Sequence, residues 1–180
     1  MKKQQTLPIA LITVTAMLTA LNVALSSFGL PVPGGHLYLN DIVICTAAIL
    51  LPPLPAFVVG GIGAFLGDFF FYPAPMFVSL VTHGIQSVII SLFVHKLFPQ
   101  KKLLGSVIGV AIGAVIMVVG YSLGRAFIYS TPEYAIMKLP FQILQAAVGA
   151  VVSIILCYGL KLKKKLNQAG VLPDVLRDLN

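Results

Sequence analysis

The stretch GGIGAFLGDFFFYPAPMFVSLVTHGIQSVIIS, Gly60 to Ser91, reads as two apolar helices joined at a short Tyr72-Pro73-Ala74-Pro75 corner. Asp68, His83 and Gln86 stand inside this otherwise hydrophobic run. A carboxylate at the centre of a membrane helix costs roughly 2.5 to 3.5 kcal/mol on insertion scales, so such groups usually line a cavity, a pathway or a partner contact. Function is therefore sought here first.

Working outward, the whole chain shares this character. Of 180 residues 58% are hydrophobic and 9% charged, and the mean hydropathy is +1.00, which excludes an ordinary soluble domain. A bilayer core of about 30 Å takes about 20 apolar residues per helix. Six such segments fit between the charged and Pro/Gly-rich breaks. The expectation is an all-α integral membrane protein, a compact bundle of six transmembrane helices over residues 1–165, followed by a cytoplasmic tail, 166–180. The apolar run after Lys2 and Lys3, Leu7 to Ala24, exceeds the 7 to 15 residues usual in a signal peptide, so a retained first helix is expected.

A net charge of +7 raises the question of nucleic acid, and the placement of the cations answers it. Lys2, Lys3, Lys96, Lys101, Lys102, Lys161, Lys163, Lys164, Lys165 and Arg177 all fall on one side of a six-pass arrangement, as the positive-inside rule asks of a cytoplasmic face. Both termini are placed there. Arg125 and Lys138 flank the last outer loop instead and call for a separate explanation. They either snorkel to the surface or help to line a pocket.

Motifs for the commoner chemistries are absent. The sequence has no P-loop, His-Glu-x-x-His, Cys-x-x-Cys or Gly-x-Ser-x-Gly run. His36, His83 and His95 are expected at three different depths, which argues against a metal site. Cys45 and Cys157 read as inert core thiols.

Taken in order, the first helix, about Leu7 to Phe28, carries Ala16, Ala20 and Ala24 at four-residue spacing. This strip suits either close packing within the domain or docking of another membrane protein. The outer segment GLPVPGGHLYLN, Gly29 to Asn40, is a loop that either folds over an opening or lies bare, with His36, Tyr38, Asn40 and Asp41 as polar tips. A short second helix, about Asp41 to Leu51, ends at Pro52-Pro53. The third, about Ala56 to Phe71, sets Gly60, Gly63 and Gly67 on one face and Gly61, Ala64 and Asp68 on the next. Asp68 either pairs with Arg125 or Lys138 or touches a ligand. The fourth, about Phe77 to Phe98, has Ser79, Thr82, His83, Gln86 and Ser87 in one stripe, which points to a lined cavity. On the fifth, about Leu104 to Ile128, Tyr121 and Arg125 are one turn apart. The sixth, about Glu133 to Lys161, aligns Lys138, Gln142, Gln145, Gly149 and Ser153.

The order of these features resembles the S components of energy-coupling factor transporters over nearly the whole chain. The quoted matches are Ala16-x-x-x-Ala20-x-x-x-Ala24, and Gly63-x-x-x-Gly67-Asp68-x-x-x-Tyr72-Pro73 followed by His83-Gly84. The resemblance implies a vitamin-capture subunit that is not an enzyme and needs no cofactor of its own. ATP would be used by partners, a transmembrane coupling protein (T component) and two ATPase subunits, in a bacterial plasma membrane. Ala16, Ala20 and Ala24 would face the coupling protein. Substrate would lie near the outer surface, with His83, Gln86, Tyr121, Arg125, Lys138, Gln142, Tyr38 and Asn40 as its expected contacts.

Within that family the chain looks closest to the riboflavin-related group. Lys138 matches a lysine of riboflavin binders, but the asparagines that accompany it there are missing, since the only ones here are Asn22, Asn40, Asn167 and Asn180. The thiamine binders' tryptophans are missing too. Pyridoxine or a related pyrimidine is the first expectation for the substrate, with pantothenate or riboflavin behind it. From other classes, a membrane-embedded enzyme and a non-transporting scaffold subunit stay open.

Overall fold

Prolines and glycines set the element boundaries. A computed structural model describes residues 9–168. In chain order it has α1 (Ile9–Ser26), a hairpin of β1 (Leu30–Val32) and β2 (Gly35–Leu37), α2 (Asn40–Leu50), α3 (Pro53–Phe71), α4 (Met76–Leu97), α5 (Lys102–Tyr129), α6 (Pro132–Gly159) and α7 (Leu162–Gln168). Leu51, ahead of Pro52, is extended at ψ 149°, where a pre-proline residue cannot continue the helix. Pro53 and Pro132 stand in the first turns of α3 and α6, where a missing N–H costs nothing.

Five of the helices, α1, α3, α4, α5 and α6, are long and apolar enough to cross a membrane. The chain is a multi-pass membrane protein of helical bundle type. The remaining expected segment is α2, the short helix foreseen from the sequence, whose 11 residues do not by themselves reach across about 30 Å. Ile44, Ala47, Ala48 and Leu51 are wholly inaccessible there. Buried on nearly every side, α2 forms the centre of the core, packed against α1, α4 and α6. The two termini, with Lys2, Lys3 and Arg177, lie outside the described residues. So does the tail beyond Gln168, and α7 carries helical structure across the expected boundary at 165/166.

Glycines bring the spanning helices into backbone contact. A Cβ on Gly61 would lie 3.0 Å from the Cα of Gly84, one on Gly113 2.8 Å from Ile90, and one on Gly120 2.6 Å from the Thr82 hydroxyl. The third helix departs from regular spacing. Val58–Ile62 forms a π turn, in which the Gly63 N–H reaches back to the Val58 carbonyl. The extra residue turns Gly60 toward Ser87 of α4, while Gly63 and Gly67 face Asn22 and Ser26 of α1, so the three glycines do not share a face. Asn22 Nδ2 donates to the displaced Val59 carbonyl at 2.7 Å.

The bundle has two unlike ends. One carries Lys96, Lys101, Lys102, Lys161, Lys164 and Lys165 and is clasped by hydrogen bonds from Ser91 to the Leu51 carbonyl and between Ser106 and Tyr158, each 2.7 Å long. The other is covered by the β hairpin. Its strands pair Leu30 with Leu37 and Val32 with Gly35. Pro33-Gly34 makes the turn, with Gly34 at φ +80°, as a type II corner requires.

Candidate functional site

Under the hairpin lies a cleft lined by Gly35, His36, Tyr38, Asn40, Asp68, Tyr72, Pro75, His83, Met117, Tyr121, Arg125, Tyr129, Lys138, Gln142 and Gln145. Its empty space, open mouth included, is about 510 Å³, but the enclosed cavity is only about 40 Å³. That is room for a few waters only, at about 10 to 15 Å³ each. A ring-sized guest therefore has to displace part of the wall.

The floor is a hydrogen-bonded chain. Asp41, in the first turn of α2, is 1% exposed and accepts from Gln145 Nε2 at 2.6 Å and Gln86 Nε2 at 3.3 Å. Gln86 Oε1 meets His83 Nδ1 at 2.6 Å, and Gln145 Oε1 accepts the Tyr38 backbone N–H at 3.0 Å. One carboxylate thus ties α2, α4, α6 and the hairpin together. Its expected place as a polar loop tip is corrected: helix α2 begins one residue earlier, at Asn40, and carries Asp41 inside. A second carboxylate, Asp68, accepts from Ser79, whose hydroxyl also lies 2.5 Å from Tyr121 OH. The His83 and Tyr121 rings meet edge to face at 5.2 Å.

The roof is held by cations. Arg125 Nη1 donates to the Gly34 carbonyl at 2.7 Å, and Lys138 Nζ donates to the His36 carbonyl. At 9% and 3% exposure the two do not snorkel; they reach inward to the hairpin. Pro140, between Lys138 and Gln142, has no N–H to give the Ile136 carbonyl, which loosens α6 at the level of the cleft. Gln142 Nε2 donates to the Val118 carbonyl at 2.8 Å. Tyr38, outside the spanning segments, has its hydroxyl pushed up to about 12, mostly by burial, with Asp68 and Tyr72 adding to the rise and Arg125 opposing it. It is a neutral phenol at physiological pH.

Of the expected contacts, His83, Tyr121, Arg125, Lys138, Gln142, Tyr38 and Asn40 are brought together around the cleft. Gln86 stands behind its wall, against Asp41 and Cys45. The rest of the α4 stripe divides: Ser79 serves Asp68, and Thr82 and Ser87 fill the notches at Gly120 and Gly60. Sequence reasoning missed Tyr72, Tyr129 and His36 as lining residues. Tyr129 was out of reach because the π turn Arg125–Tyr129 carries α5 past its expected end at Ile128 and sets the Tyr129 ring 5.3 Å from the Arg125 guanidinium carbon. Ala16, Ala20 and Ala24 are all exposed, on the outer face of α1, away from the cleft. Among the described residues no group of His, Cys, Asp and Glu could hold a metal ion.

Several polar atoms at the site have no partner among the described residues: Asn40 Oδ1, Arg125 Nε and Tyr129 OH. Buried groups left this way cost about 1 to 3 kcal/mol each. A guest offering an acceptor to Arg125 and Tyr129 and a donor to Asn40 would recover that.

No curated protein matches this sequence. The family described as ECF-type riboflavin transporter, S component, matches it over residues 6–163. With that match running through all five spanning helices and α2, the chain belongs to the ECF-type riboflavin transporter S component family.

Proposed function

We propose that this S component captures a water-soluble vitamin in the cleft beneath the hairpin, at the outer face of a bacterial plasma membrane. It hands the vitamin inward with a transmembrane coupling protein and two ATPase subunits. The observation that carries this reading is the cleft itself: six rings, His36, Tyr38, Tyr72, His83, Tyr121 and Tyr129, line it together with polar atoms that have no partner among the described residues. Aromatic walls with a few convergent polar groups suit a flat heterocycle. The substrate we favour is pyridoxine or a related pyrimidine, with His83, Tyr121, Arg125, Lys138, Gln142, Tyr38 and Asn40 as its contacts and Gln86 supporting His83 from behind. Pantothenate is the second reading, favoured by the cationic pair Arg125 and Lys138. Riboflavin is named in the family's description, but its larger ring system would demand a wider displacement of the hairpin.

Because Arg125 and Lys138 hold hairpin carbonyls across the narrow void, a guest enters by lifting the hairpin. Both cations are then free to turn to it. Mass spectrometry of the small molecule retained by the gently solubilised chain tests the reading. A water-soluble vitamin is expected in the extract, together with a rise in melting temperature when it is added back. An empty extract, with no thermal shift from any water-soluble vitamin, would remove the proposal.

A further inference from the structure

Fixed charges of both signs line the cleft without meeting. Asp68 faces it from α3, and one of its oxygens, Oδ2, accepts from Ser79. The other, Oδ1, has no hydrogen-bond partner among the described residues, and no Lys or Arg nitrogen lies within 4.0 Å of the carboxylate. From α5 and α6, Arg125 and Lys138 direct N–H groups to hairpin carbonyls, which leaves Arg125 Nε and Tyr129 OH open. The two cations are buried and Asp68 is partly so, and the desolvation cost of the charges is offset by no ion pair between them. A guest reaching both would offset it.

We propose, building on the vitamin-capture reading, that Asp68 determines specificity by pairing with a protonated ring nitrogen or amino group on one edge of the substrate, while Arg125 and Tyr129 take an oxygen on another edge. The substrate class is then a bipolar heteroaromatic ring, with a basic nitrogen and a hydroxyl or oxyanion on the same small frame. Anions without a cationic group are disfavoured by Asp68, and uncharged polyols leave its Oδ1 unpaired. The rings of His36, Tyr38 and Tyr72 supply the flat surfaces such a frame stacks on. The pairing is charge-assisted in a partly desolvated site, where one such hydrogen bond changes affinity about 10- to 100-fold.

The test uses the full chain in lipid nanodiscs and four probes. These are pyridoxine, whose hydroxypyridine ring has a basic nitrogen and an acidic hydroxyl, its carbocyclic counterpart with C–H in place of the ring nitrogen, pantothenate, and riboflavin. Wild type should bind pyridoxine about 10- to 100-fold more tightly than the carbocyclic counterpart. Asp68→Asn keeps the side chain's size and an acceptor for Ser79. It should erase that preference by weakening pyridoxine alone. Equal weakening of both ring compounds would mark Asp68 as merely structural and overturn the proposal. The wild-type comparison stands by itself if Asp68→Asn does not fold, and equal binding of the two rings there overturns it as well. Tight binding of pantothenate or riboflavin, unaffected by Asp68→Asn, would leave the capture reading intact and remove this one. Binding of none of the four would remove both.

Discussion

Gly149 has no side chain because Asp41 occupies the space one would need: a Cβ there would lie 2.6 Å from the Asp41 Cβ. Adding a methyl group would push α2 off α6 and pull Asp41 from Gln145. Overpacking of this kind costs about 1 to 3 kcal/mol. Gly149→Ala should therefore lower the melting temperature in detergent and weaken vitamin binding together. Gly159→Ala, whose new Cβ would meet Ile155 at an ordinary 3.6 Å, should change neither. Equal melting temperatures for the two variants would contradict the packing account. At the cleft, His83→Ala removes an edge-to-face ring contact and a partner of Gln86, and Lys138→Ala removes a hairpin tie as well as a proposed ligand contact. Each should weaken binding of the co-purifying vitamin about tenfold or more, as isothermal titration would show, since leaving a buried polar group without its partner costs about 1 to 3 kcal/mol.

The hairpin is the element on which entry depends, and Gly34 is its weakest point. At φ +80° it sits where an L side chain is strained by about 1 to 2 kcal/mol, and a Cβ there would also lie 3.0 Å from the Lys138 Cβ. Gly34→Ala should loosen the hairpin and press on α6 only at its outer end, at Tyr134 and Lys138. Amide exchange over residues 30–37 should quicken about tenfold while exchange in α4 stays unchanged, and unaltered hairpin exchange would show that the Arg125 and Lys138 contacts alone hold it. The long helices around it are legible in sequence because a membrane helix announces itself by length and apolarity, and the α4 stripe because five polar residues at helical spacing are conspicuous there. The π turns are not legible. Nothing in Val58-Val59-Gly60-Gly61-Ile62 signals an i→i+5 ladder, and so the regrouping of the α3 glycines and the inward reach of Tyr129 escape a regular helical wheel. Asp41 escapes for a different reason. Its partners Gln86 and Gln145 are 45 and 104 residues away, and only the packing of α2 between α4 and α6 brings them to one carboxylate.

Across the whole molecule, the proposed capture cleft and the proposed docking strip lie on separate surfaces, and that separation can be tested. The cleft gathers its groups from the hairpin and α2 through α6, with Asp41 and the glycine contacts holding it in register. On α1 the inward face, Leu11, Val14, Thr15, Asn22 and Ser26, is buried against the bundle, while Ala16, Ala20 and Ala24 lie on the exposed face beside Met17 and Leu21. In lipid, where apolar side chains gain nothing by leaving the acyl phase, a strip of small residues favours association by letting another backbone come close. Ala20→Leu would add three carbons to the middle of that strip. For the isolated chain the leucine simply meets acyl chains, so folding and vitamin affinity should be those of wild type. For a complex held by close approach at this strip, the added side chain forces the helices apart. Uptake of the vitamin by cells carrying Ala20→Leu should be abolished, and the coupling protein should no longer co-purify. Normal uptake would assign docking to another face of the bundle, and lost affinity in the isolated chain would show that α1 and the cleft are not independent.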